Sequence, residues 1–99
     1  MCEFKIIRKN DGSQILEDIV VLSYNENYEL VCKDVLGIGE TLKSTIILDV
    51  NTLNQSCVVL EHSLIGDFIK LFISINNNSA TKEQIETLQN ELEAIKKTL

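Results

Sequence analysis

The apolar residues of this chain change their spacing once, close to residue 62. Before that point, short apolar runs are separated by polar or glycine-containing turns. After it, apolar residues recur at every third or fourth position. The first pattern is typical of β-strands and the second of amphipathic helices. The 99 residues therefore predict one small β domain, residues 1–61, and a helical extension, residues 62–99.

About five strands are predicted in the β domain. They cover residues 2–9, 15–24, 28–35, 41–50 and 56–61. Asp11-Gly12 follows the first strand and is typical of a tight hairpin turn. Residues 19–22 are continuously apolar, which predicts burial on both faces or passage across a barrel corner. Short strands joined by tight turns favour a small, mostly antiparallel β-barrel.

The extension is predicted to be one helix or an αα-hairpin. Its first apolar face comprises Leu64, Ile65, Phe68, Ile69, Phe72 and Ile75. A strand over residues 67–75 is the alternative, because β-branched residues are frequent there. Thr81 and Gln84 then have the spacing of a capping box.

A heptad seam follows this cap, with apolar residues stepping by three and four. Its members are Ile85, Leu88, Leu92, Ile95 and Leu99. A helix of this length is marginal alone in water. We therefore expect the seam to pack on the preceding helix, on the barrel or on a second chain.

Charge and cysteine content favour a cytoplasmic protein with no nucleic-acid or membrane partner. Nine Lys and Arg stand against fifteen Asp and Glu, a net charge of −6, with no basic run for phosphate binding. No apolar run reaches the ~18 residues of a membrane span, and the first nine residues lack a signal-peptide pattern. Three cysteines without CxxC spacing indicate free thiols in a reducing compartment.

Catalytic constellations are absent from the sequence. There is one histidine, no recognisable nucleophile and base pair, and no glycine-rich phosphate loop. We therefore expect no enzymatic activity. A cysteine enzyme that uses Cys2, with its α-amine as base, is the remaining catalytic alternative.

Cys2 is the candidate metal ligand. Removal of Met1, usual before so small a residue, would leave an α-amine and a thiol on Cys2 that can chelate one metal ion. Two such termini supply two nitrogens and two sulfurs, which suits Ni(II) or Cu(II). The alternative is an incidental free thiol.

The other potential ligands have simpler interpretations. Glu3 can add a donor but is expected to be an exposed strand residue, and His62 an exposed or helix-capping histidine. Cys32 and Cys57 have apolar neighbours and are predicted to be buried in the core.

An ordered set of short motifs runs through the β domain. It comprises Met1-Cys2, Asp11-Gly12, Glu17-Asp18-Ile19, Lys33-Asp34-Val35-Leu36-Gly37, Glu40, Leu48-Asp49-Val50 and Val58-Val59-Leu60-Glu61. Because of these ordered motifs, residues 1–61 resemble the CooT family of small nickel-binding accessory proteins. Two features depart from that family: Ile38-Gly39 separates Gly37 from Glu40, and residues 62–99 lie outside its usual short form.

The resemblance implies a small SH3-like β-barrel that pairs as a homodimer. It also implies that the N-terminal Cys2 of each chain binds Ni(II) near the two-fold axis. The implied role is that of a metallochaperone in carbon monoxide dehydrogenase maturation, with such an enzyme as client. Members are often labelled RNA-binding, which the acidic charge here argues against. The alternative is a structural or interaction module without metal.

Overall fold

The computed structural model describes residues 3–99, which form seven strands followed by two helices. The strands are β1 (Phe4–Arg8), β2 (Gln14–Ile19), β3 (Val21–Tyr24), β4 (Leu30–Lys33), β5 (Gly39–Leu42), β6 (Thr45–Asn51) and β7 (Ser56–Glu61). The helices are α1 (Ser63–Asn76) and α2 (Lys82–Lys96). The prediction of a mainly β fold with a C-terminal helical extension is confirmed.

The strands pair as two sheets. One has the order β2-β1-β7-β6 and the other β3-β4-β5. The pairing is antiparallel throughout, as expected, except between β1 and β7, which run parallel with Ile6 beside Cys57. This parallel pair brings the start of the chain next to the last strand, at the centre of the larger sheet.

The segment predicted as one strand over residues 15–24 is divided between the two sheets. It leaves the larger sheet after Ile19 and enters the smaller one at Val21. Val20, at the break, is exposed, so burial on both faces is wrong; the chain instead passes from one sheet to the other here. Asp18 has φ of 58°, in the left-handed region, and begins this change of direction.

The strand predicted over residues 41–50 is also divided. A turn at Lys43 and Ser44 separates β5 from β6, and Ser44 has φ of 47°. These two divisions replace the predicted five strands by seven. In both, a residue other than glycine adopts a left-handed conformation, and no glycine or proline marks the break in the sequence.

One core lies between the two sheets. Its buried residues are Ile6, Ile19, Leu30, Cys32, Cys57 and Val59. They come from β1, β2 and β7 of the larger sheet and from β4 of the smaller one. Because aliphatic and thiol side chains fill this core, the sheets are held together mainly by the hydrophobic effect.

Polar contacts tie the β1–β2 turn to the end of β7. The Asn10 side chain donates to the Glu61 carbonyl (2.8 Å) and accepts from the Glu61 N–H (3.0 Å). Arg8 pairs with Asp11 at 2.8 Å and with Glu61 at 3.5 Å. Hydrogen bonds from Arg8 and Ser13 hold the pKa of Asp11 well below its usual range. The strand that leads into the helices is thereby anchored to the first hairpin.

The extension is an αα-hairpin, one of the two predicted forms. Residues 63–76 are a continuous helix, so the alternative of a strand over residues 67–75 is wrong. The capping box predicted at Thr81 and Gln84 is present, with both reciprocal hydrogen bonds. Leu88 of α2 packs against Leu64 and Leu71 of α1.

The helix α2 ends before the last residue of the predicted heptad seam. It ends at Lys96, so Leu99 lies beyond its last turn. Neither helix in the described part of the chain is long and apolar enough to cross a lipid bilayer.

Truncation of the shared core should destabilise the fold. Ile6→Ala is expected to lower the free energy of unfolding by about 2–5 kcal/mol, because it leaves a cavity between the two sheets. Leu53→Ala, at an almost fully exposed turn residue, is the control and should change it by less than ~0.5 kcal/mol. Urea denaturation followed by circular dichroism measures both. Equal stability of the two variants would contradict a core shared by both sheets.

Candidate metal-binding residues

The predicted ligand Cys2 lies outside the described residues. Glu3 is the first described residue, directly before β1, and it is half-buried rather than exposed as predicted. The geometry of a site at the N-terminus is therefore described from Glu3 onward.

A polar groove of about 290 Å³ lies at the start of β1. Three carboxylates, from Glu3, Glu17 and Asp18, line it together with one cation, Lys5. The β1–β2 pairing is irregular beside these carboxylates. Phe4 pairs with Ile19 and Ile6 with Leu16, so β2 has one residue more than β1 between the two pairs, which is a β-bulge. Such a bulge redirects side chains at a sheet edge. The groove is thus acidic beside the chain position that Cys2 occupies in the sequence.

These carboxylates do not form a metal site by themselves. Within residues 3–99, no three His, Cys, Asp or Glu side chains are grouped to hold a metal ion. Oxygen ligands also favour Mg, Ca or Mn over nickel, which prefers nitrogen and sulfur. The groove can supply negative charge and an additional oxygen donor, but not the soft ligands.

Cys32 and Cys57 belong to the core, as predicted. Both are fully buried, on the facing strands β4 and β7. Burial, together with the nearby Cys57 and Glu40, raises the pKa of the Cys32 thiol to about 11. Burial likewise raises the pKa of Cys57. Because metals bind the thiolate, neither side chain is available as a ligand in the folded chain.

His62 is a helix cap, as predicted. Its Nδ1 accepts a hydrogen bond from the Leu64 N–H at 3.1 Å, which satisfies a free donor in the first turn of α1. It lies just past the end of β7, whereas Lys5, near the start of β1, pairs with Ser56 at the other end of that strand. Six extended residues span about 20 Å. The structure therefore does not bring His62 and Glu3 of one chain together.

An apolar groove between α1 and the larger sheet was not predicted. Its volume is about 470 Å³. Its walls are Ile46 and Leu60, a cross-strand pair of β6 and β7, and the α1 residues Ile65, Phe68, Ile69 and Phe72. The helical spacing predicted the apolar face of α1. It did not indicate that part of this face would remain uncovered.

No protein-family model and no curated protein matches the chain. The likeness of residues 1–61 to the CooT family therefore stays a prediction, carried by Met1-Cys2 and the ordered motifs of the β domain. The Gly39 that departs from that pattern has a structural role, because a Cβ there would overlap the Cys32 backbone carbonyl across the β4–β5 pair.

Thiol labelling should separate the two core cysteines from Cys2. In a Cys2→Ser chain at neutral pH, iodoacetamide is expected to leave the native protein unmodified and to modify two thiols after denaturation. The reason is burial together with a raised pKa, which keeps the reactive thiolate fraction very small. Mass spectrometry counts the added groups. Rapid modification of the native variant would contradict a closed core.

Proposed function

We propose that this protein is a nickel-binding accessory protein that binds Ni(II) through the N-terminal Cys2. The observation that carries the proposal is the burial of Cys32 and Cys57. Of the three cysteines in the sequence, two are committed to the core, and Cys2 is the third. Cys2 is therefore the cysteine left to act as a thiolate ligand in the folded chain.

The ligands would be the α-amine and the thiolate of Cys2 in each chain of a homodimer. Two nitrogens and two sulfurs form a set that nickel prefers over hard cations such as Mg or Ca. The free amine has a pKa near ~8 and the free thiol near ~8.5, and both must lose a proton to bind. Nickel binding then releases protons, so the affinity falls as the pH is lowered below neutral.

The acidic groove at the start of β1 supports this role. Glu3 directly follows Cys2 in the sequence, and it lines the groove together with Glu17 and Asp18. Carboxylates clustered in a groove raise the local concentration of cations. They would attract Ni(II) to the N-terminus and offer an oxygen ligand if one coordination position were left open.

Nickel is cargo in this proposal, bound for transfer to another protein. The resemblance of residues 1–61 to the CooT family points to carbon monoxide dehydrogenase maturation, with a carbon monoxide dehydrogenase-like enzyme as client. The proposal requires no catalytic step by the chain itself.

The alternative is an interaction module in which Cys2 has no metal role. The observation that favours it is the apolar groove beside α1, where Phe72 is 61% exposed. Uncovered apolar surface of this kind is typical of interaction sites. Under this alternative, Cys2→Ser would leave every property of the protein unchanged.

Nickel titration of the untagged, reduced protein tests the proposal. Mass spectrometry must first establish that Met1 has been removed. We expect one Ni(II) per two chains at pH 7.5, with thiolate-to-nickel charge-transfer absorbance, because the four donors come from two termini. Cys2→Ser should abolish both signals. A Gly-Ser extension before Cys2 is the matched control: it keeps the thiol, blocks the amine chelate and should weaken binding at least tenfold.

Two results distinguish the hypotheses. If the reduced protein without Met1 does not bind nickel, the metal proposal is wrong and the interaction-module alternative is favoured. Equal binding by the wild-type and Cys2→Ser chains would show that the metal is held elsewhere. Glu3→Gln measures the contribution of the groove, and a modest loss of affinity with unchanged stoichiometry is expected.

A further inference from the structure

The apolar groove between α1 and the larger sheet has two facing walls. One wall belongs to α1, where the rings of Phe68 and Phe72 lie with their centroids 5.8 Å apart. The other is the cross-strand pair of Ile46 and Leu60. Apolar residues exposed singly, as elsewhere on the strands, are normal on a protein surface. Here they line one concave space of about 470 Å³, which is within the size range of small-molecule sites.

The groove stays open because α1 is fixed to the sheet at its start only. The His62 N–H donates to the Ser44 carbonyl at 3.1 Å, and the Gly66 N–H donates to the Ser44 hydroxyl at 3.1 Å. A side chain at Gly66 would crowd that hydroxyl, so the glycine permits the close approach. Further along the helix, Leu71 packs in the cluster with α2. The space beside Phe72, which is 61% exposed, is therefore left unfilled.

The polar groups of the groove all lie at the end where α1 begins. They belong to Asn10, Glu61 and His62. The Asn10 side chain is bonded to the Glu61 backbone, and the His62 Nδ1 caps the helix. The Glu61 carboxylate has a long contact of 3.5 Å with Arg8, whose closer partner is Asp11 at 2.8 Å. Glu61 therefore retains the capacity to accept hydrogen bonds from a ligand.

Charge and shape together define what this groove can bind. Glu61 is the one charged residue among the described residues that line it. An anionic head group placed at this end would be repelled, whereas a cationic one would be attracted and can donate to the carboxylate. Beyond this end the lining of α1 is apolar from Ile65 to Phe72, a length of about 10 Å along the helix.

We propose that this groove binds a small amphiphile with an apolar body and a cationic head, of the class of long-chain amines. The head lies at Glu61, and the body lies between the rings of α1 and the pair of Ile46 and Leu60. Burial of the body supplies most of the binding free energy, and the carboxylate selects the charge of the head. The proposal stands whether or not Cys2 binds nickel.

Titration of the metal-free Cys2→Ser chain with decylamine, followed by amide NMR, tests the proposal. We expect saturable binding, with the largest shift changes at residues 65–72 and at Ile46 and Leu60. Decanoate carries an anionic head on a similar chain and should bind at least ~tenfold more weakly. Propylamine keeps the head but has little apolar surface to bury, so it should also bind at least ~tenfold more weakly.

A charge variant tests the role of the carboxylate. Glu61→Gln should weaken decylamine binding about tenfold and remove the preference over decanoate, because the charge at the head position is lost. Glu40→Gln is the matched control, since it makes the same change of charge at an exposed residue of the smaller sheet. It should alter the affinity less than ~2-fold, because solvent and salt screen a distant exposed charge.

A wall variant tests the apolar contact. Phe72→Ala should weaken decylamine binding at least ~fivefold, because it removes a ring from the groove. Ile75→Ala is the matched control, at an exposed α1 residue that is not among the described residues lining the groove. Circular dichroism establishes that the variants remain folded.

Three results would overturn the proposal. One is a lack of saturable decylamine binding, or decanoate binding that is equally tight. Another is a set of shift changes confined to the acidic groove at Glu3 and Glu17, because the amine would then bind there through charge alone. The third is a change of the shifts of residues 65–72 on dilution of the free protein, without a response to decylamine, which would mean that another copy of the chain covers the groove.

Discussion

The parallel pairing of β1 with β7 is the contact on which the rest of the structure depends. It joins the first strand of the chain to the last, with Ile6 beside Cys57, and both side chains are fully buried. The pair occupies the centre of the larger sheet, so β2 and β6 can attach only to its outer edges. Without it, neither the shared core nor the starting point of the helices would be defined.

The same pair separates the acidic groove from the αα-hairpin. The acidic groove lies where β1 begins, and the αα-hairpin begins where β7 ends. The length of one strand, about 20 Å, lies between them. A nickel site at the N-terminus would therefore lie apart from the αα-hairpin. Burial of Cys32 and Cys57 at the middle of the sheets keeps the core thiols away from both.

Local signals in the sequence predicted much of the fold. The strand expected at residues 56–61 has those limits in the structure, and the Thr81–Gln84 capping box is formed. Core positions for Cys32 and Cys57 and the cap at His62 also followed from neighbouring residues. The breaks near Asp18 and Ser44 were not predicted, because neither contains the glycine or proline that usually marks a turn in a sequence.

The sequence by itself determined the class of fold, the change from strands to helices near residue 62, and the candidacy of Cys2 as a nickel ligand. These depend on residue spacing and on the chemistry of single side chains, which are local properties. Only the tertiary structure decided that β1 and β7 run parallel, that Glu3, Glu17 and Asp18 share a groove, and that an apolar groove stays open between α1 and the larger sheet. Those features depend on which segments, distant in the sequence, come into contact. The hydrophobic effect that drives these contacts is non-directional, so residue spacing alone does not specify them.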